Sequence, residues 1–63
     1  MKPKRFLRVR QVTEVTGLPP SSIYDEVKKG RFPKQVPIGP HRVAWIEDEI
    51  EAWQQARISE RDI

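Results

Sequence analysis

The apolar positions of this 63-residue chain form helical stripes and short β-prone runs, separated by prolines and glycines. Val9, Val12 and Val15 lie three residues apart, which predicts a short helix over 8–16. Gly17 follows as a residue that can adopt a left-handed conformation and end the helix. β-branched valines are only modest helix formers, so we expect packing rather than intrinsic propensity to hold this helix.

A second helix is predicted directly after a turn that contains two prolines. Leu18-Pro19-Pro20 cannot continue the first helix. Pro20 suits the first position of a new helix, because its missing N–H would be unpaired there in any case. This helix runs to Lys29 and is closed by Gly30. Two helices joined by so tight a turn indicate a helix-turn-helix.

A hairpin and a third helix complete the pattern. Two β-prone runs, 31–38 and 42–45, flank a Gly-Pro turn, and Pro37 confines the first run to a sheet edge. The third helix is predicted by apolar residues at i, i+4 and i+7, with acidic residues in its first turn, where the helix dipole favours anions. It should end near Arg57 and leave the last six residues frayed. The apolar residues in question are Ile46, Ile50 and Trp53.

The predicted fold is mainly α with a small β-hairpin: a winged helix-turn-helix of three short helices and a two-stranded wing. A single domain is expected over 1–63, with an ordered core at about 6–57. So short a chain buries only about 60% of its unfolded surface, and a few large side chains must therefore supply its stability. We expect these to be Phe6, Leu7, Tyr24, Phe32, Trp45, Ile50 and Trp53.

Composition makes several classes of protein improbable. The chain has no cysteine, so neither a disulfide nor a cysteine-based zinc site can form, and no apolar run approaches the roughly 20 residues of a membrane span. A single histidine and isolated serines offer no catalytic arrangement, and the adjacent carboxylates at 47–49 point in different directions on a helix. We therefore expect no enzyme activity, no metal and no cofactor.

Charge is distributed unevenly along the chain. Residues 1–45 hold ten Lys/Arg and three Asp/Glu, a net charge of +7, whereas residues 46–63 carry a net charge of −4. The first 45 residues should attract polyanions, and we expect the acidic end to face away from them. The basic run Lys2-Pro3-Lys4-Arg5 has two interpretations, a phosphate-contacting arm or a solvated terminus.

The second helix offers the best candidate surface for a nucleic acid. Ile23 and Val27 share one face of it, with Tyr24 at the flank. About nine residues span about 14 Å, and the major groove is about 12 Å wide, so the helix fits. The alternative is an ordinary solvated helix surface. The face opposite the apolar residues collects five polar residues that we assign to DNA binding: Ser21, Ser22, Asp25, Lys28 and Lys29.

Asp25 has two interpretations, since a carboxylate in the centre of such a surface repels DNA. It either accepts a hydrogen bond from a cytosine N4 or pairs with Lys29 four residues further along, and we favour the pair.

The predicted wing adds Lys34, His41 and Arg42 on or near its turn, and these three complete the assigned DNA-binding set. Arg42 suits insertion into a narrow minor groove, where the negative potential is enhanced. His41 taken alone is more typical of a solvated turn residue than of a ligand or pH switch. The spacing of Trp45 and Trp53 assigns both to the core rather than to base stacking.

The order of these motifs resembles the AlpA family of prophage regulators over about residues 6–57. The resemblance implies a MerR-like winged helix-turn-helix related to phage excisionases, with the second helix and the wing facing DNA. This chain departs from the family at Asp25, where a basic residue is common, and at Pro19, where a Ser or Thr cap is common. The matching motifs are Phe6-Leu7-Arg8-Val9-Arg10-Gln11-Val12, Thr16-Gly17-Leu18, Ser22-Ile23-Tyr24, Gly30-Arg31-Phe32-Pro33, Val43-Ala44-Trp45 and Glu49-Ile50-Glu51-Ala52-Trp53.

The resemblance implies a sequence-specific regulator of transcription that binds double-stranded DNA in the bacterial cytoplasm, at the nucleoid. One alternative is an excisionase that bends DNA and recruits an integrase, and another is a protein-interaction adaptor that uses the acidic third helix. Few base-reading side chains are available, so we expect several copies to associate on repeated or inverted half-sites. No membrane partner is expected.

Overall fold

A computed structural model describes residues 2–61 of the chain. It contains three helices and a small antiparallel sheet, so the predicted architecture of three helices with a β-hairpin is confirmed. In chain order the elements are β1 (Phe6–Leu7), α1 (Val9–Thr16), α2 (Pro20–Lys28), β2 (Val36–Gly39), β3 (Arg42–Ile46) and α3 (Glu47–Glu60).

The sheet has three strands rather than the two predicted. β3 is central, with β2 along one edge and β1 along the other. β1 pairs antiparallel with β3 and places Phe6 opposite Ile46 and Leu7 opposite Trp45. A two-residue strand has too few positions to show an alternating pattern, so the sequence alone did not reveal it. Pro37 lies on the edge strand β2, as predicted.

The hairpin turn consists of Pro40 and His41, between the paired residues Gly39 and Arg42. His41 has a φ of 56°, and proline followed by a residue with positive φ is the pattern of a type II turn. The register is irregular between Pro37 and Gly39, which is the mark of a bulge in the edge strand. We call the four residues Gly39–Arg42 the wing tip.

The first two helices begin and end within one residue of the predicted positions. Gly17 has a φ of 78° and donates its N–H to the Thr13 carbonyl at 2.9 Å, which closes α1. Pro20 occupies the first turn of α2 after Pro19, which makes no side-chain cap hydrogen bond. Gly30 follows α2 with a φ of 75°. The N-terminus of α2 therefore has no side-chain cap, as the proline at position 19 implies.

The core contains only part of the predicted set of large side chains. Phe6 and Tyr24, which we expected inside it, are 50% and 42% exposed. On β1 the two side chains point to opposite sides, so burial of Leu7 leaves Phe6 outside. Trp53 is only partly buried. The six residues of the core cluster are Leu7, Val12, Ile23, Phe32, Trp45 and Ile50.

The third helix extends further than predicted. It begins at Glu47 and continues to Glu60, about one turn beyond the expected end at Arg57. Arg57 forms an ion pair with Glu60 at 3.0 Å, at i and i+3, which supports that last turn. The predicted fraying of 58–63 is therefore wrong for 58–60, while residues 62 and 63 lie outside the described part of the chain.

Replacing Gly17 by alanine should lower the free energy of unfolding by about 1–2 kcal/mol, because a left-handed conformation costs an L residue about that much. No heavy atom lies within 4 Å of the added Cβ, so the cost is conformational rather than steric. Circular dichroism should show a Tm several degrees lower, since about 1 kcal/mol corresponds to about 4–8 °C in so small a domain.

Gly39→Ala is the matched control. Gly39 has no positive φ, and its added Cβ would meet only the Arg42 side chain at 4.0 Å. Its Tm should be unchanged or slightly higher, because alanine reduces the entropy of the unfolded chain. Equal losses for the two variants would contradict the assignment of Gly17 to a conformational role.

Candidate nucleic-acid interface

The polar side of α2 faces solvent. Ile23 is fully buried and Val27 packs against the core cluster, so these two residues attach the helix to the protein. The side chains on the other side remain accessible. Ser21, Asp25, Lys28 and Lys29 are exposed and Ser22 is partly buried.

The contact of Tyr24 with Trp45 defines which flank of α2 lies against the sheet. The two ring centroids are 5.8 Å apart with an interplanar angle of 59°, and Trp45 belongs to β3. Ser21 and Lys28 lie three residues before and four residues after Tyr24, within about 60° of it around the helix axis. We call these three residues the sheet-side flank of α2.

The other three assigned residues of α2 form its outer flank: Ser22, Asp25 and Lys29. Here Lys29 Nζ lies 2.8 Å from Asp25 Oδ2, so the ion pair favoured from the sequence is present. Both side chains are about half exposed, and such a pair contributes little to stability. Its consequence is that the charge of Lys29 is partly neutralised within the protein.

Ion pairs divide the basic residues into two groups. Within residues 2–61, acidic partners at 4 Å or less are found for Lys4, Arg5, Lys29, Arg31 and Arg57. Three of the assigned DNA-binding cations have no such partner in the same part of the chain. They are Lys28, Lys34 and Arg42, and each is exposed. Arg8, which precedes α1, and Arg10 within it share this property, although neither was assigned to DNA binding from the sequence.

The wing tip carries only two of the three residues that we placed on or near it. His41 and Arg42 lie in the turn and at the start of β3, and both are exposed. Lys34 precedes β2, at the opposite end of that strand, where it lines an open groove of about 690 Å³ between segment 30–36 and α3. The expectation that all three cluster at the turn is therefore wrong for Lys34.

The basic N-terminal segment lies against α3. Lys4 Nζ contacts Asp48 Oδ2, Arg5 Nη1 lies 3.2 Å from Glu47 Oε2, and the Glu47 N–H donates to the Arg5 carbonyl at 2.9 Å. The hydrogen bond and negative charge of Asp48 raise the pKa of Lys4 above its ordinary 10.5. The acidic first turn of α3 thus meets part of the basic region, contrary to the expectation that it faces away.

The two tryptophans are structural, as predicted. Trp45 is fully buried and its indole N–H donates to the Pro33 carbonyl at 2.9 Å. The indole N–H of Trp53 donates to the Arg31 carbonyl at 3.0 Å, and its ring packs edge-on against Phe32 with centroids 4.8 Å apart. Both indole N–H groups are thus used within the fold.

Residues 2–61 contain no group of three or more His, Cys, Asp or Glu residues that could hold a metal ion. In the same range, no helix combines the length and the apolar character that crossing a bilayer requires.

The fold and the outward polar side of α2 are those of a winged helix-turn-helix protein. A family model described as "Prophage CP4-57 regulatory protein (AlpA)" matches residues 5–58, so the chain belongs to the AlpA family. The resemblance seen in the sequence motifs is thereby confirmed.

Two relatives illustrate the range of the family. An uncharacterized protein of Enterobacteria phage P4, ORF88, is 47% identical over 58 residues, which cover 92% of this chain and 66% of the phage protein. The DNA-binding transcriptional activator AlpA of Escherichia coli K12 is 36% identical over 59 residues, with 84% of each chain covered. The chain thus spans just under two thirds of the length of the phage protein.

The ammonium group of Lys4 should titrate above pH 10.5, and Asp48→Asn should return it to the ordinary value, as followed by NMR of the lysine side chains. Because the pKa is raised in the folded protein, the ion pair stabilises the fold below pH 10.5, and this contribution is lost as the pH rises through the raised value. An identical titration in the wild type and in Asp48→Asn would show that Lys4 is not paired with Asp48.

Proposed function

We propose that this protein is a sequence-specific, double-stranded DNA-binding regulator of transcription of the prophage type. The observation that carries the proposal is the exposed polar side of α2, fixed opposite the buried Ile23 in a helix-turn-helix. Membership of the AlpA family and the similarity to a DNA-binding transcriptional activator support it. The wing tip at the end of the hairpin is exposed and basic, and it provides a second contact surface.

In the proposed complex α2 enters the major groove. Ser21 and Ser22 lie in its first turn, where hydroxyl groups can donate to or accept from base edges. Lys28 binds a phosphate oxygen from the last turn. Arg42 and His41 at the wing tip contact the adjacent backbone or minor groove.

Lys29 has a smaller role in this proposal than Lys28. Its ammonium group is already paired with Asp25, so a phosphate would have to compete with that carboxylate. We therefore assign the Asp25–Lys29 pair to the boundary of the surface, and Lys28 and Arg42 to its main phosphate contacts. Lys34, at the other end of β2, is a secondary contact.

Lys28→Ala and Arg42→Ala should each weaken binding to a selected duplex about tenfold, because each removes a charged phosphate contact worth about 1.4 kcal/mol. Each should also reduce the slope of log K against log salt by about 0.9. The duplex comes from selection among random sequences at two salt concentrations, and affinity is measured by fluorescence anisotropy. Lys34→Ala should have a smaller effect.

Lys4→Ala is the matched control, since it lowers the net charge by the same one unit but removes a cation that is paired with Asp48. Its affinity and salt slope should stay close to those of the wild type. Equal losses for Lys4→Ala and Lys28→Ala would mean that only overall charge matters, and the proposed docking would be wrong. If regulation survives in Lys28→Ala and Arg42→Ala while DNA affinity is lost, the protein is an adaptor.

More than one copy should occupy each natural site. One copy has few side chains that can contact base edges, and its selectivity should therefore be modest. We expect several copies to bind half-sites that are about ten base pairs apart, or multiples of that spacing. Native mass spectrometry on the selected duplexes should count two or more copies. Tight binding of a single copy to an isolated half-site at physiological salt would contradict this prediction.

An excisionase would use the same contacts with DNA but would also bend it and recruit an integrase. Comparison of reporter transcription without integrase and excision with purified integrase separates this outcome from the proposed regulator.

A further inference from the structure

Tyr24 is an exposed aromatic residue whose hydroxyl has no use within the fold. The side chain is 42% exposed, although its ring lies against the buried Trp45. Among residues 2–61 no hydrogen bond to this hydroxyl is present. Packing against Trp45 accounts for the ring of Tyr24, and phenylalanine would serve that contact equally well. The phenolic O–H remains to be explained.

Tyr24 lies on the border of the proposed DNA surface. It shares the sheet-side flank of α2 with Ser21 and Lys28, between the polar side of the helix and the strand that begins with Arg42. A ring fixed against Trp45 also loses little conformational freedom when it binds, so its O–H is presented at low entropic cost. Tyrosine hydroxyls are among the groups that hydrogen-bond to DNA phosphates.

We propose that Tyr24 is a DNA-contact residue whose phenolic O–H donates to a phosphate oxygen at the junction between α2 and the wing. The inference rests on the proposed function and adds to it a contact made by an uncharged donor. The occupant is the anionic phosphate of duplex DNA, because Lys28, a cation without an acidic partner among residues 2–61, follows Tyr24 by four residues on the same flank of α2, so that both side chains can reach one phosphate group.

Tyr24→Phe tests the inference because it removes one oxygen atom and keeps the ring. We expect its affinity for the selected duplex to fall about fivefold to tenfold. The slope of log K against log salt should remain that of the wild type, because a neutral donor releases no counterion. The Tm should stay within about 2 °C of the wild-type value, because an exposed hydroxyl without a partner contributes little to the fold.

The contact is localised with duplexes that carry a neutral methylphosphonate at one phosphate at a time. At one position, the methylphosphonate should weaken binding of the wild type. It should weaken binding of Tyr24→Phe clearly less, since the variant has already lost the contact. Additive losses at every position would overturn the phosphate assignment. Binding of Tyr24→Phe with the affinity of the wild type would overturn it as well.

The failure of this inference can be told apart from the failure of the proposed function. If Tyr24→Phe binds like the wild type while Lys28→Ala and Arg42→Ala bind weakly, the DNA surface stands and Tyr24 is not part of it. If the wild type itself selects no duplex, both the proposed function and the proposed role of Tyr24 are wrong.

Discussion

The burial of Trp45 connects the parts of this small protein that would otherwise be separate. The residue lies on the central strand β3, which is hydrogen-bonded on one side to β1 and on the other to the edge strand of the wing. Its indole N–H binds the Pro33 carbonyl and thereby holds the connection between α2 and β2. Its ring contacts Tyr24 on α2. Helix, connection and wing are thus held in one arrangement by one side chain.

In the proposed complex with DNA, the ion pairs of this protein would matter more for binding than they do for its stability. The pairs are exposed, and exposed pairs contribute little to the free energy of folding. They do, however, reduce the number of cations that are free to meet phosphates. Asp25 restrains Lys29, and the acidic first turn of α3 restrains the N-terminal segment. In the proposed complex, a lower number of free cations would limit sequence-independent attraction to DNA and leave a larger share of the binding to the contacts of α2 and the wing tip.

The sequence was sufficient for the first two helices and the hairpin because their determinants are local. Valine spacing and Gly17 define α1, and Pro20 defines the start of α2. The strand β1 was missed because it exists only through its pairing with β3. The exposure of Tyr24 was missed for a similar reason: its position on α2 fits either the core or the surface, and only the placement of β3 decides.

In the candidate site too, features set by the local sequence were predicted, and features set by strand pairing were not. The outward side of α2 followed from burial of Ile23, which helical periodicity predicts. The separation of Lys34 from the wing tip depends on where β2 begins. The start of β2 is set by its pairing with β3. The four residues of β2 separate this point from the turn by about 13 Å. Sequence proximity therefore joined residues that the sheet keeps apart.

The distance between helix and wing tip is set by the strand β3 itself. Arg42 precedes Trp45 by three residues, which corresponds to about 10 Å along a strand. The turn between the strands is restricted at both of its residues, by the ring of Pro40 and by the left-handed conformation of His41. A wing that pivoted freely would lose entropy on binding. In the proposed complex, a wing joined to the residue against which α2 packs would bring both contacts to DNA in a preformed arrangement, so that even a core of six residues could present one binding surface.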